Sequence, residues 1–351
     1  MQSNSFAAVL LFILSMTAGC QNLRNLPALP LPAQEIACAP GPEDIALDTF
    51  DGRERLIVST DQRRNPKGQP RQGGQLQYID IRDDQTYPFA LTGYPCEKIY
   101  PHGIDLVYRR DSLFLYVLSH HPLKDHPDDY NHHLIHRFLV RENQLIWLDS
   151  LSSSLLCAPN DLFVLPDGRI YVTNYMKRIS TFQTLWTALL RFRTGSIAYY
   201  LPGEGWQKVS GRYGYPNGIL VREHHLYIAE GTRKHLLRFD LDEQGHPQPH
   251  PIHSARKFLF ADNLMPGPEG WLYGTCHPRP LRFKAHAGDP GKRSPSSLYK
   301  ISPDFEDWEW IGQDDGGRIS AASTCLPYHG QLYVSQVFDG FILKMPYTKG
   351  Q

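Results

Sequence analysis

One unit recurs six times along this chain, and that recurrence constrains the fold more than any other feature. Each copy runs from a polar residue into a short apolar strand, through a turn, and into a second strand with an apolar-Tyr-apolar or similar core. The copies are Glu43-Asp44-Ile45 to Leu56-Ile57-Val58, His102-Gly103-Ile104 to Leu115-Tyr116-Val117, and Asn160-Asp161-Leu162 to Ile170-Tyr171-Val172. Three more follow: Asn217-Gly218-Ile219 to Leu226-Tyr227-Ile228, Asp262-Asn263-Leu264 to Leu272-Tyr273-Gly274, and Thr324-Cys325-Leu326 to Leu332-Tyr333-Val334. Turn formers such as Asp51-Gly52, Pro166-Asp167-Gly168 and His329-Gly330 separate the paired strands. Successive leading positions 43, 102, 160, 217, 263 and 324 lie 46 to 61 residues apart, room for a four-stranded sheet with its loops. One such sheet cannot bury both faces, whereas six packed radially can. The expectation is therefore an all-β, six-bladed β-propeller with a central channel. A seventh blade would need a repeat between Phe283 and Ile319, where only outer-strand material such as Ser297-Leu298-Tyr299-Lys300 occurs.

Some segments break the pattern. Phe182, Leu185, Trp186, Leu189 and Leu190 recur at helical spacing, with Ser180 or Thr181 as N-cap. This predicts a short amphipathic helix inserted near 180–193, either packed over the propeller top or acting as a substrate lid or membrane-facing element. Stretches 61–74 and 284–296, rich in Gly, Pro and charge, read as mobile loops. The uncharged apolar run from Phe6 to Met16 reads as an export signal. It leads into Met16-Thr17-Ala18-Gly19-Cys20, which resembles a bacterial lipobox, although Thr17 stands where Leu is usual and Met1 to Ser5 carry no Lys or Arg. The expected organisation is a signal peptide over 1–19, a lipidated Cys20, a linker over 20–36 and one propeller domain over 37–351. The protein would lie outside the cytoplasm, membrane-associated through its lipid; a soluble secreted form and an uncleaved anchor are the alternatives.

Composition narrows the partners. Lys plus Arg and Asp plus Glu each number 36, so no global field recruits nucleic acid, and a small-molecule substrate suits the balance. Apart from Cys20, five cysteines remain (Cys38, Cys96, Cys157, Cys276 and Cys325), with no C-x-x-C pair. Structural zinc and thioredoxin-like chemistry are unsupported. A disulfide of Cys38 with Cys96 or with Cys325 is one guess.

The first position of each repeat carries the chemistry. Glu43, His102, Asn160, Asn217 and Asn263, with Asp262 before it, stand where inner strands begin, and equivalent positions in a propeller converge on one axis. Singly, such residues are ordinary turn or capping groups. Together, one Glu, one Asp and three Asn form a set of hard oxygen donors of limited charge, the kind calcium prefers. Asp44 and Asp161, pointing away by strand alternation, need partners of their own, and a second cation held with a backbone carbonyl would supply one.

The strings Pro42-Glu43-Asp44, His102-Gly103-Ile104, His121-Pro122, Asn160-Asp161, Asn217-Gly218-Ile219, Asp262-Asn263 and Cys276-His277-Pro278 resemble, in order, the paraoxonase/arylesterase family. The resemblance implies a six-bladed propeller with two calcium ions. One, catalytic, would sit on Glu43, Asn160, Asn217, Asp262 and Asn263; the other, structural, on Asp44, Asp161 and the carbonyl of Ile104. It also implies a catalytic dyad of His102 with His121, and His277 lining the pocket. The activity implied is opening of lactones or aryl esters: calcium polarises the carbonyl and His102 takes the proton of the attacking water, a role Glu43 could share or replace. The family's disulfide between its N-terminal and last strands has no counterpart here, since Phe341 to Met345 contain no cysteine. Two rivals stand beside this reading: a gluconolactonase-like sugar-lactone hydrolase, and a non-catalytic binding propeller stiffened by calcium. No G-x-S-x-G elbow is present to support a serine hydrolase.

Overall fold

Six sheets form where the six repeats predict them, each starting with the strand that carries the leading polar residue. The computed structural model of the chain describes residues 26–64, 71–126, 129–180 and 192–347. The innermost strands of the blades are Pro42–Asp48, Pro101–Arg109, Pro159–Val164, Pro216–Arg222, Ala261–Pro266 and Ala322–Tyr328. Each pairs with the next strand in sequence, and the inner strands touch one another in a closed ring. Blades 1, 3, 4 and 5 have four strands in sequence order, and blade 2 gains a fifth, Ala90–Thr92, parallel to Gln144–Leu151. No sheet arises for a seventh blade among the described residues.

The second strand of each blade explains the apolar-Tyr-apolar cores. Ile170–Asn174 and Leu272–Cys276 are buried at every position, because both faces pack on other blades and neither meets water. Tyr171, Tyr227 and Tyr333 are among the most deeply buried side chains. A buried phenol needs a partner, and the hydroxyl of Tyr171 donates to the Gly245 carbonyl at 2.7 Å.

Closure uses hydrogen bonds. The last blade takes its outer strand from the N-terminal side: Gln34–Ala37 pairs antiparallel with Phe341–Pro346, with Glu35 opposite Leu343 and Ile36 opposite Ile342. The fold thus begins within the segment expected as a linker over 20–36. Leu29 is buried beside Ile311 and Leu343, and its amide donates to the Gln313 carbonyl. Cys38, Cys96, Cys157, Cys276 and Cys325 are all free thiols, so neither guessed pairing of Cys38 forms. Cys276 and Cys325 lie wholly buried in apolar clusters, where burial pushes both thiols well above their ordinary range.

The stretch read as a mobile loop over 284–296 is corrected in part. Pro280–Gly288 is an α-helix, here α1, with Pro280 at its first turn and a backbone cap from Asp289 to the carbonyls of Ala285 and His286. The helix expected near 180–193, and the signal peptide with Cys20, fall on segments outside the described residues. Among the described residues no helix is long and apolar enough to cross a membrane.

Glycine appears in the inner strands where blades approach most closely. A Cβ on Gly218 would lie 2.5 Å from the Asp262 carbonyl oxygen, 2.6 Å from Asn263 Cα and 2.6 Å from Leu264 N, all backbone atoms that cannot rotate away. Gly218→Ala is expected to destabilise the fold by about 1–3 kcal/mol, read as a lower melting temperature. Gly288→Ala, where nothing lies within 4 Å of the added atom, should change it little; equal losses in the two variants would refute the packing account.

Candidate active site and cation-binding channel

All six inner strands begin with a register irregularity, between Pro42 and Asp44, Pro101 and Ile104, Pro159 and Leu162, Pro216 and Ile219, Ala261 and Leu264, and Ala322 and Cys325. A bulge re-aims side chains and releases the strand end from strict alternation. Four of these strands open on proline, which gives no ladder donor and suits a strand's first position. Hydroxyls on the second strands then hold the re-aimed backbone from the neighbouring blade. Ser59 donates to the His102 carbonyl at 2.6 Å, Thr173 to that of Asn217, and Ser335 to that of Glu43 at 2.8 Å.

These residues face a cavity of about 350 Å³. Its polar lining includes Glu43, Arg63, His102, Asn160, Asn217, Asp262 and His277; its apolar walls include Tyr175, Tyr215, Phe260, Val337, Phe338 and, from α1, Leu281, Phe283 and Ala287. Four of the five residues expected to hold the catalytic ion, together with His102 and His277, are therefore brought together. Asn263 lies buried on another course, its amide donating to Thr324 Oγ1 at 3.0 Å and Ser323 Oγ at 3.4 Å.

Oxygen accounting tests the fit to a hard cation. Asn160 Oδ1, Asn217 Oδ1, Asp262 Oδ1 and Asn263 Oδ1 are all buried without a hydrogen-bond partner among the described residues. Buried polar atoms are normally paired, so four orphan oxygens on three adjacent inner strands form a donor set that calcium chemistry fits. No group of three His, Cys, Asp or Glu side chains suited to a metal forms among the described residues; the candidate set is amide-rich.

His102 and Glu43 are coupled. His102 Nε2 stands 3.2 Å from Glu43 Oε1 and 3.2 Å from Asn160 Nδ2, while Arg63 Nη2 lies 3.1 Å from His102 Nδ1 and 2.8 Å from Glu43 Oε2. Arginine only donates, so Nδ1 can accept from Arg63, while Nε2 faces both Glu43 Oε1 and the Asn160 amide nitrogen. Burial, with the nearby Arg63 charge, holds His102 well below the ordinary histidine range. Burial pushes Glu43 up to about 8 despite the opposing Arg63 charge. On the other side of the cavity, His277 Nε2 lies 2.7 Å from Asp262 Oδ2 and fixes that carboxylate through its second oxygen.

The expected dyad of His102 with His121 is not formed. Successive residues of the strand Ser112–His121 face opposite sides, and it is His120 whose ring meets His102, edge to face at 4.8 Å between centroids. His120 Nδ1 in turn lies 2.9 Å from His133 Nδ1. His121 faces Tyr94, Ser119 and His136, with its Nε2 2.9 Å from Ser119 Oγ and 2.9 Å from His136 Nε2. Burial lowers His121 to about 4.

Asp44 and Asp161 each span two blades. Asp44 Oδ2 accepts from the Ile104 amide at 2.8 Å, and Asp161 Oδ2 from the Ile219 amide at 3.0 Å. The contact seen at Ile104 is thus through its N–H rather than the expected carbonyl. Asp105, which sequence reasoning missed, does the same for Val164 at 2.7 Å. Burial raises all three carboxyls, Asp44 to about 7, Asp105 to about 8 and Asp161 well above the usual range. Arg63 was also missed, because its loop carries no pattern. The recurrent Ser or Thr after the core of the second strand (Ser59, Thr173, Thr275, Ser335) was a readable signal for the hydroxyl clamps.

Six radial sheets, with an amide- and carboxylate-lined cavity set by the bulged starts of their inner strands, define a β-propeller with an oxygen-lined channel site. The family model described as Arylesterase matches residues 67–343, most of the chain. The protein belongs to the arylesterase (paraoxonase) family. Human serum paraoxonase/lactonase 3 is 22% identical over 281 residues, covering 78% of this chain and 77% of that protein. Bovine serum paraoxonase/arylesterase 2 is 25% identical over 292 residues, covering 77% and 76%. Among solved structures, a luciferin-regenerating enzyme has a TM-score of 0.58 at 11% identity over 92% of this chain and 96% of that one. A putative gluconolactonase has a TM-score of 0.53 at 13% identity, covering 94% of each. At such identities these two share the fold.

Proposed function

We propose that this protein is a calcium-dependent hydrolase of lactones and aryl esters, exported and anchored by a lipid on Cys20. The observation that carries this reading is the set of buried, unpartnered oxygens of Asn160, Asn217 and Asp262 beside a His102–Glu43 pair in one cavity, with a fourth, Asn263 Oδ1, on the same strand as Asp262. Glu43, Asn160, Asn217, Asp262 and Asn263 would hold the catalytic calcium. Asp44, Asp161 and Asp105, with backbone of Ile104, would border a second, structural ion. Bound calcium would polarise the substrate carbonyl and stabilise the oxyanion that forms on it.

The rest falls to the chain's own groups. The apolar walls from Phe260, Phe283, Val337 and Phe338 take an alkyl or aryl group and exclude water from it, and they suit such a group better than a sugar. The attacking water gives its proton to the His102–Glu43 pair, and the pair returns a proton to the departing alkoxide or phenoxide oxygen. His120, against the far side of His102, holds the imidazole in place, and His277 holds the Asp262 carboxylate.

The test is hydrolysis of γ- and δ-lactones, a sugar lactone and phenyl acetate by the protein expressed from residue 21, with calcium and after chelation. Turnover of alkyl lactones or phenyl acetate that disappears with chelator and in Asn217→Ala is the expected result. Preference for the sugar lactone would favour the gluconolactonase-like reading. No turnover from folded, calcium-stabilised protein would leave a binding propeller.

A further inference from the structure

We propose that Arg63 is the built-in charge partner of Glu43, sharing that carboxylate with the channel cation and so setting how tightly the site takes calcium. This rests on the calcium reading above. Asn160 Oδ1, Asn217 Oδ1 and Asp262 Oδ1 in the cavity stand without a partner among the described residues, but both oxygens of Glu43 are engaged: Oε2 by Arg63 Nη2 at 2.8 Å, Oε1 by His102 Nε2 at 3.2 Å. A cation that takes Glu43 must take it alongside a guanidinium.

Arg63 is not a surface side chain that swings aside. Its Nη1 lies within hydrogen-bond reach of three backbone carbonyls, those of Gly41 at 3.1 Å, Asp61 at 3.3 Å and Val337 at 3.4 Å, from separate parts of the first and last blades. Gly41 leaves the room: it adopts a φ of +71°, and a Cβ there would lie 2.2 Å from the Asp61 carbonyl oxygen and 3.0 Å from Nη1. The side chain is only 14% exposed. Guanidinium stays charged at any pH the protein meets, so the fold fixes a full positive charge against the one glutamate of the donor set. Two consequences follow. Without a cation, Arg63 donates to Oε2 of the buried Glu43 and eases its burial. With one, it repels a dication sharing the same group, a repulsion little screened in a closed cavity.

The experiment is calorimetric titration of CaCl2 into chelator-stripped protein, for wild type, Arg63→Ala and Arg63→Lys, with melting temperatures in chelator and in calcium. Arg63→Ala is expected to tighten the calcium Kd by about tenfold or more, while melting lower than wild type in chelator and gaining more from calcium. Arg63→Lys, which keeps the charge, should stay near wild type. Unchanged or weaker calcium affinity in Arg63→Ala overturns the proposal and leaves the calcium reading standing; so does an equal loss of melting temperature with and without calcium, the mark of a purely structural arginine. A wild-type protein that gives no calcium heat overturns both.

Discussion

Alanine at His102 is expected to lower kcat/KM for phenyl acetate and alkyl lactones by about 10²- to 10⁴-fold, the usual contribution of a positioned acid–base group. The fold and calcium binding should survive, because His102 sits at the cavity edge of its strand and contacts the donor set only through Glu43 Oε1 and Asn160 Nδ2. The flanking histidines separate the geometry seen here from the one the family resemblance implied. His120→Ala removes the ring packed against His102 and should lower kcat with little change in KM. His121→Ala removes a ring that faces Tyr94, Ser119 and His136 and should cost stability more than turnover in the protein that remains folded. Assays of purified, folded variants at saturating calcium decide this. A larger kcat loss at His121 than at His120 would reinstate the dyad of His102 with His121, and undiminished turnover in His102→Ala would remove histidine from the chemistry.

In chelator, the melting temperature is expected to fall as pH is raised from about 5 to about 9. Burial lifts Asp44 to about 7, Glu43 and Asp105 to about 8, and Asp161 well above the usual range. Unfolded, such groups titrate near 4. Between those limits the folded protein holds protons that the unfolded chain has released, so raising pH favours unfolding. The stabilisation is fully present below the unfolded value and is lost as pH passes through the folded ones. A tenfold difference in proton affinity between the folded and unfolded chain is worth about 1.4 kcal/mol; because the four carboxyls interact, their sum is on the order of several kcal/mol. On the calcium reading proposed above, saturating calcium should reverse the sign of the linkage, because a cation binds deprotonated carboxylates. Melting curves in calcium should lie higher and be flat or rising over the same range. A flat profile in chelator would mean these carboxyls are ionised and satisfied without a cation; a parallel fall in calcium would mean that calcium does not bind them.

The six blades were legible because a propeller repeats its burial pattern, and a second strand covered on both faces writes itself as Leu-Tyr-Ile or Ile-Tyr-Val whatever the rest of the blade does. The donor set was legible for the same reason: equivalent positions in a closed ring converge, so Glu43, Asn160, Asn217 and Asp262 could be grouped without coordinates. Three features could not be read this way. Which of two adjacent histidines meets His102 depends on strand register, and a shift of one residue exchanges His120 for His121. That 280–288 form a helix lining the cavity depends on the apolar surface of Val337 and Phe338 from the last blade, which a local reading of a Gly-, Pro- and charge-rich stretch does not contain. Arg63 sits in a segment with no periodicity, and its place is set by carbonyls at Gly41, Asp61 and Val337, two of them on the first blade and one on the last. The sequence by itself thus determined the number of blades, the oxygen-rich character of the hub and the residue types available for chemistry, all of which follow from local pattern and symmetry. Tertiary structure alone decided which side chains pair, because pairing is settled by register and by contacts between segments hundreds of residues apart.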